Sequence, residues 1–283
     1  MDLNNLLLKI EASLQDLRPS EQKVARCVID NYEQVKFMTV SELASRSDVS
    51  EASVMRFIKS LGFKGFQYFK LALASVGNGN HETPKVKEVT EDDSVMDIKE
   101  TIQNNCVASI QDTFSVLEVK SLTKAVDLIL DAKQIFVVGV GSSGILAQLL
   151  SYNLLRMGIM TNFLSDPHLQ AMKTSLIDSD SLVIGISHSG STKDTVDVLK
   201  LAHDNGAKTI CITGHVKSPI ARYSDVLLCT YAREDPLGIS QGRSSVSQTY
   251  AIETLTACIY SEIKEEANLA RKTTAQSVLG KLY

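Results

Sequence analysis

The chain has 283 residues, is 44% hydrophobic and carries a formal net charge of −4. This length allows two domains with separate cores, and the composition excludes a fibrous or disordered protein. Five dispersed cysteines without a C-x-x-C pair predict reduced thiols in a cytoplasmic protein and argue against a metal site. No apolar run approaches the length of a membrane span, and no signal peptide is expected.

Residues 3–74 have apolar side chains at helical spacing, which predicts an all-α region. Within it, Thr39 and Glu42 fit a capping box that opens a short helix. Ser50 is placed to cap a second helix that ends before Gly62. Two short helices separated by a tight turn are typical of a helix-turn-helix DNA-binding module.

The outward face of the second helix is expected to contact DNA. Ser53 and Arg56 are the best candidates for base contacts, because small polar residues and arginine near the start of a recognition helix reach base edges. The predicted DNA-binding residues are Ser50, Glu51, Ala52, Ser53, Arg56, Lys59 and Lys64.

Basic residues are enriched around this module. Residues 36–77 contain six basic and three acidic side chains, a balance that permits DNA binding without proving it. Lys59 and Lys64 are expected to meet phosphates, and Lys36 and Lys70 are weaker candidates. For any one of these side chains, a solvated surface charge is the alternative.

The chain is predicted to contain two domains joined by a linker. The first domain spans residues 1–77, and a polar, glycine-containing linker spans 78–94. A connecting helix is expected over 95–121. Five short apolar runs then alternate with helical stretches over 122–265, which predicts an α/β domain whose parallel five-stranded sheet has helices on both faces. A C-terminal helix over 266–283 follows.

Two of the predicted strands end in loops typical of anion sites. The loop at 187–192 has the sequence S-H-S-G-S-T, and the loop at 139–144 has the sequence G-V-G-S-S-G. Each loop precedes a helical stretch, and a helix N-terminus offers unpaired N–H groups and partial positive charge. Because both loops follow parallel strands, they can converge on one ligand that carries a phosphate or carboxylate.

These paired loops, with Thr213 and Gly214 at the end of a later strand, resemble the sugar isomerase (SIS) domain, a flavodoxin-like sandwich that binds phosphosugars. The resemblance implies that Ser142 and Ser143 face the sugar and phosphate. Gly190 is expected to allow close backbone approach. The predicted phosphosugar-binding residues are Ser142, Ser143, Ser187, His188, Ser189, Gly190, Thr192 and Glu234.

The N-terminal region carries a second resemblance. The sequences RPSEQKVARCVIDN at 18–31 and VSEASVMRFIKSLGFKGFQYFK at 49–70 resemble the DNA-binding domain of RpiR-type transcriptional regulators. Together the two resemblances imply a regulator of sugar or amino-sugar catabolism with operator DNA and a phosphorylated sugar as partners. They also imply a homodimer or homotetramer without membrane association, cofactor or catalytic residue.

The chain departs from this regulator pattern at one point. Many relatives have Ser-Arg before an apolar pair and Gln, whereas this chain has Ser244-Ser245 before Val246-Ser247-Gln248 and its arginine at Arg243. The departure makes any transfer of the arginine's role doubtful. We therefore expect residues 234–245 to decide which ligand binds.

Two alternatives concern the loops. The loop at 139–144 also satisfies G-x-G-x-x-G, with Asp166 about twenty residues further on, as in dinucleotide-binding domains. Against this, a dinucleotide site has no evident use for a second hydroxyl-rich loop. The other alternative is that Ser191 or Thr192 only caps the helix that follows.

A third alternative is an aldose-ketose isomerase, because phosphosugar isomerases share this fold. Isomerisation needs a base near the sugar C1 and C2 and usually a group that opens the ring. Glu234 and Asp235 could supply the base, and His168 and His188 are plausible helpers.

Overall fold

A computed structural model of the chain describes residues 3–35, 38, 40–74, 89–90, 92–216, 218–232 and 242–281. Contacts between Cα atoms divide the chain into two compact units, Met1–Lys85 and Val86–Tyr283. Most of the predicted linker lies outside the described residues, as does Thr39 of the predicted capping box. No helix in the described ranges combines the length and hydropathy needed to cross a bilayer.

The described part of the first unit is helical, as predicted. Its helices are α1 (Leu3–Ser13), α2 (Pro19–Val35), α3 (Val40–Arg46), α4 (Glu51–Ser60) and α5 (Phe66–Ala74). Their apolar faces form one core around the fully buried Phe57 and Phe69, whose rings pack edge to face with centroids 6.1 Å apart. Between α3 and α4, Asp48 adopts a φ of 51°, a left-handed conformation that aspartate tolerates better than most residues.

The described residues of the second unit contain a parallel sheet of five strands in the order β2-β1-β3-β4-β5. The strands are β1 (Gln134–Val138), β2 (Thr161–Leu164), β3 (Ser181–Ile186), β4 (Lys208–Thr213) and β5 (Val226–Cys229). The helices are α6 (Val95–Val116), α7 (Val119–Asp131), α8 (Ser142–Arg156), α9 (Pro167–Thr174), α10 (Lys193–Asp204), α11 (Gly242–Glu262) and α12 (Lys264–Gln276). This strand order is that of flavodoxin-like folds, so the predicted fold class is confirmed.

Helices cover both faces of the sheet because the strands are apolar on both faces. Leu182 and Ile184 of β3 pack in one core with α7, α8 and α11. Val183, between them in sequence, points to the opposite face and packs with α10. The segment interpreted as a connecting helix contains α6, which packs along α11.

The turn after β3 is closed by Gly190, which has a φ of +61° and is buried. A Cβ at this position would overlap the Ser218 hydroxyl and would lie 2.8 Å from Thr213 Oγ1. The Gly190 carbonyl also accepts a hydrogen bond from the Ile220 amide at 3.0 Å. The turn therefore has no room for a side chain.

We expect Gly190→Ala to lower the free energy of unfolding by about 2–5 kcal/mol, because a left-handed conformation and an overpacked neighbour both oppose the methyl group. Gly206→Ala is the matched control, since Gly206 has a φ of +82° but open space around its Cβ position. This control is expected to lose only about 1–2 kcal/mol. Equal losses for both variants in urea unfolding would contradict the steric argument.

Cys211 on β4 provides a test of burial on the α10 face of the sheet. Burial raises the pKa of its thiol from 9.0 to about 11. The folded state therefore holds this proton more tightly, so the associated stability is complete below pH 9 and is lost as pH rises through about 11.

We expect the free energy of unfolding of wild type to fall between pH 9 and about 11. The Cys211→Ala variant lacks this thiol, so its free energy of unfolding should fall less. The difference should be at most about 3 kcal/mol, and urea unfolding across this range measures it. Cys258→Ala, at a half-buried position on α11, is the control and should follow wild type. Identical pH profiles for the two variants would show that burial of Cys211 does not have this effect.

Candidate functional site

The two loops predicted to bind an anion lie at the same edge of the sheet in the second unit. β1 and β3 are neighbouring parallel strands, with Val138 paired to Gly185 at their carboxyl ends. The chain leaves β1 toward β2 on one side and leaves β3 toward β4 on the other. Such a reversal of strand order opens a crevice at the carboxyl ends of the strands, where ligands of open α/β sheets bind.

The loop after β1 leads directly into α8. Gly141 precedes this helix with a φ of +60°, and a Cβ on Gly139 would lie 2.7 Å from the Ser143 carbonyl oxygen. Ser142 is exposed and Ser143 is half-buried. Both residues lie in the first turn of α8, where the backbone N–H groups have no carbonyl of a preceding turn to bond.

The loop after β3 has a hydrogen-bonded interior. Ser187 is buried, and its hydroxyl donates to Thr192 Oγ1 at 3.3 Å. Thr192 occupies the N-cap position of α10 without a capping hydrogen bond from its side chain. The hydroxyl of Ser191 donates to the Ser189 carbonyl rather than to the helix. Helix capping by Ser191 or Thr192 therefore does not account for this loop.

His188 connects this loop to the end of β4. Its carbonyl accepts hydrogen bonds from the Gly214 amide at 2.9 Å and from Thr213 Oγ1 at 3.1 Å. A Cβ on Gly214 would lie 2.7 Å from His188 Cε1, so the imidazole packs directly on that glycine. The ring centroid of His215 lies 5.8 Å from that of His188. His215 was missed by the sequence analysis, because nothing local marks it.

The structure gives a different reason for glycine at position 190 than the predicted close approach of a ligand. The space that a side chain would need is taken by Ser218 and Thr213 of the same unit. Ser189, by contrast, is exposed on the loop. The candidate ligand-facing hydroxyls of the described loop are thus those of Ser189 and Thr192, with Ser187 bonded behind Thr192.

Of the residues considered for the alternative functions, Asp166 and His168 both lie at the start of α9. Asp166 caps α9 by accepting the Leu169 amide at 2.9 Å, which accounts for this carboxylate without a ribose. His168 lines a cleft of about 230 Å³ between α9 and α10, together with Asp194 and Asp197. The predicted residues Glu234 and Asp235 lie outside the described residues.

Arg243, the residue that departs from the regulator pattern, is buried in the first turn of α11. Among the described residues, no cluster of three or more His, Cys, Asp or Glu side chains could hold a metal ion.

The candidate DNA-binding surface is the exposed side of α4 in the first unit. Ser50 caps α4 as predicted, and its hydroxyl accepts the Ser53 amide at 3.3 Å. The predicted DNA-binding residues that are exposed are Ser50, Glu51, Ala52, Arg56, Lys59 and Lys64. The carboxylate of Glu51 accepts a hydrogen bond from the Ser41 hydroxyl.

The predicted outward orientation of Ser53 is wrong. Ser53 is 4% exposed, on a helix that packs against both α2 and α3. Its hydroxyl accepts a hydrogen bond from Arg56 Nη2 at 2.8 Å, while Arg56 Nε lies 3.7 Å from the buried Glu21 carboxylate. Ser53 and Glu21 therefore orient Arg56, whose side chain is 49% exposed.

The weaker phosphate candidates differ in position. Lys36 lies outside the described residues. Lys70 is half-buried, and its ammonium nitrogen lies 5.7 Å from the ring centroid of Phe66. A cation–π contact of this kind is an alternative use for the Lys70 charge.

Comparison with known proteins assigns both units. Residues 4–77 match the model of the helix-turn-helix domain of the rpiR family, and residues 128–257 match that of the SIS domain. The HTH-type transcriptional regulator HexR of Pseudomonas aeruginosa is 32% identical over 234 residues, which cover 82% of this chain and 81% of HexR.

Solved structures agree with this assignment. The NanR protein of Vibrio vulnificus, solved in complex with ManNAc-6P, superposes with a TM-score of 0.63 and 27% identity over 98% of this chain and 99% of NanR. The sugar isomerase domain of an RpiR transcription factor from Sphaerobacter thermophilus gives a TM-score of 0.59 and 25% identity, covering 63% of this chain and 98% of that one. The chain therefore belongs to the RpiR family of helix-turn-helix transcriptional regulators, and it is a regulator rather than an isomerase.

Proposed function

We propose that this regulator controls genes of sugar or amino-sugar catabolism and that a phosphorylated sugar bound by the SIS domain changes its affinity for operator DNA. The observation that carries the proposal is the presence of two hydroxyl-rich loops at one edge of the sheet, after β1 and β3. Hydroxyl donors and helix N-termini together suit a phosphate group. The complex of the related NanR protein with ManNAc-6P supports this ligand class.

In this proposal each loop has a separate role. The loop after β3 binds the phosphate through Ser189, Thr192 and the first amides of α10. Ser142 and Ser143, at the start of α8, contact the sugar. Ser187 supports the phosphate loop because its hydroxyl bonds Thr192 Oγ1. His188 completes the loop through the backbone contacts of its carbonyl with β4.

The ligand regulates DNA binding only if it binds the DNA-competent and DNA-incompetent states with different affinities. We propose that the functional form is a homodimer or homotetramer, because helix-turn-helix proteins commonly bind paired half-sites. Exposed apolar side chains on α6 support this assembly, since Phe114 is 71% exposed and Val107 is 45% exposed. The opposite side of α6 buries the polar Asn105 and Thr113.

The phosphate role of Thr192 can be tested by thermal unfolding with candidate ligands. The panel contains N-acetylmannosamine 6-phosphate, N-acetylmuramic acid 6-phosphate, glucosamine 6-phosphate, fructose 6-phosphate, 2-keto-3-deoxy-6-phosphogluconate and NAD. A sugar phosphate at about 100 times its Kd should stabilise wild type by about 2.7 kcal/mol. We expect Thr192→Val to lose most of this stabilisation, because it removes a hydroxyl donor and preserves the side-chain shape.

Thr195→Val is the matched control, one turn further along α10. It replaces a fully buried hydroxyl that has no hydrogen-bond partner among the described residues, so the ligand response should be retained. An equal loss of response in both variants would mean that the valine perturbs α10 rather than the ligand. Stabilisation by NAD alone would overturn the phosphosugar proposal.

The DNA-binding role of α4 can be tested with Lys59→Ala. We expect weaker binding to a random-sequence duplex, and we expect the negative slope of log K against log salt concentration to become less steep by about 0.9, because one phosphate contact is lost. Fluorescence anisotropy at several salt concentrations measures this slope. Lys200→Ala, at an exposed position on α10 of the second unit, is the control and should leave it unchanged. Equal slopes for the Lys59→Ala variant and wild type would remove Lys59 from the DNA-binding surface.

A further inference from the structure

Gln170 on α9 is a fully buried polar residue. Its side chain is 0% exposed, and no local sequence motif marks it as functional. α9 connects β2 to β3 and packs against α10, so Gln170 lies on the face of the sheet opposite to α8. A buried amide requires hydrogen-bond partners, and these partners identify what the residue does.

The amide nitrogen of Gln170 joins the carboxyl ends of two neighbouring strands. Nε2 donates to the Leu164 carbonyl at 2.7 Å and to the Gly139 carbonyl at 3.2 Å. Leu164 is the last residue of β2, and Gly139 is the first residue after β1. An amide nitrogen has two hydrogens, so this pair of carbonyls uses its full donor capacity.

The amide oxygen of Gln170 serves no comparable purpose. Oε1 is buried and has no hydrogen-bond partner within the part of the chain that the structure describes. A buried acceptor without a partner disfavours folding, and an apolar side chain of similar size would avoid that loss. The donor end of the amide is therefore the feature that distinguishes glutamine from such a residue here.

Gly139 transmits this restraint to the ligand loop. The Cβ position of Gly139 lies 2.7 Å from the Ser143 carbonyl oxygen, so the two backbones are in direct contact. A shift of the Gly139 carbonyl would consequently move the first turn of α8. This turn carries Ser142 and Ser143, the residues proposed to contact the sugar.

We propose that Gln170 is a positioning residue of the phosphosugar site, which fixes the loop after β1 through the Gly139 carbonyl without touching the ligand. This inference rests on the proposed function, because it presumes a phosphosugar between the two loops. The two loops have different supports, because the loop after β3 is hydrogen-bonded to the end of β4 and not to Gln170. Loss of the Gln170 amide should therefore affect sugar recognition more than phosphate recognition.

The test compares two ligands in the full-length chain, by calorimetric titration. One is the sugar phosphate of the panel above that stabilises wild type most, and the other is inorganic phosphate. We expect Gln170→Met, which keeps the length but removes the donor, to lower sugar-phosphate affinity about tenfold, the equivalent of one hydrogen bond. Inorganic phosphate affinity should change less, so the ratio of the two affinities should fall.

Gln170→Glu provides a second variant of nearly the same shape. At this fully buried position a carboxyl would be protonated and could donate to only one of the two carbonyls, so the ratio should fall, but by less than in Gln170→Met. Asn205→Ala is the matched control, because Asn205 Nδ2 also donates to a carbonyl of α9, that of Thr174 at 3.1 Å. This control removes an amide-to-carbonyl bond at the far end of α9 and should leave the ratio unchanged.

The outcomes separate the two proposals. If wild type binds a panel sugar phosphate and both Gln170 variants keep the wild-type ratio, the positioning role is wrong and the phosphosugar function stands. If Asn205→Ala lowers the ratio as much as the Gln170 variants do, general loosening of α9 explains the effect and the positioning role is also wrong. If wild type binds no panel sugar phosphate, the proposed function fails first, and the role of Gln170 falls with it.

Discussion

The parallel pairing of β1 with β3 is the constraint on which the candidate ligand site depends. The two strands are separated in sequence by β2 and two helices, yet they are neighbours in the sheet. Their carboxyl ends therefore bring the loops after Val138 and Ile186 to one edge, where the loops begin one strand spacing apart, about 4.8 Å. If β2 lay between them, the same two sequences would form loops too far apart to share a small ligand.

The loop after β3 is held in shape by the protein before any ligand binds. Ser187 bonds Thr192, the His188 carbonyl bonds the end of β4, and Gly190 fits against Ser218. Preorganisation of this kind reduces the conformational entropy that the loop would lose when a ligand binds. The loop after β1 is supported differently, through the Gly139 carbonyl and the buried amide of Gln170. One site would thus have two independently supported halves.

In the first unit, some polar residues cap or orient parts of α4, and others on the same helix are exposed to solvent. Ser50 caps α4, and Ser53 and Glu21 hold the Arg56 side chain from the protein side. Lys59 lies on the same helix, and its side chain is exposed. A restrained arginine and an exposed lysine suit the different demands of base contacts and phosphate contacts, since bases require orientation whereas phosphates require mainly charge.

The sequence by itself determined the helical first unit, the α/β second unit, the cap at Ser50 and the two loops that follow β1 and β3. These features are local, because hydrophobic period, helix caps and glycine turns are written within a few neighbouring residues. The tertiary structure alone decided the burial of Ser53, the packing of His188 on Gly214 and the hydrogen bonds of the Gln170 amide. Each of these depends on segments that are distant in sequence and meet only when the chain folds. No local pattern specifies which distant carbonyl or carboxylate a polar side chain will find, and for that reason the supports of both candidate sites became visible only in the folded chain.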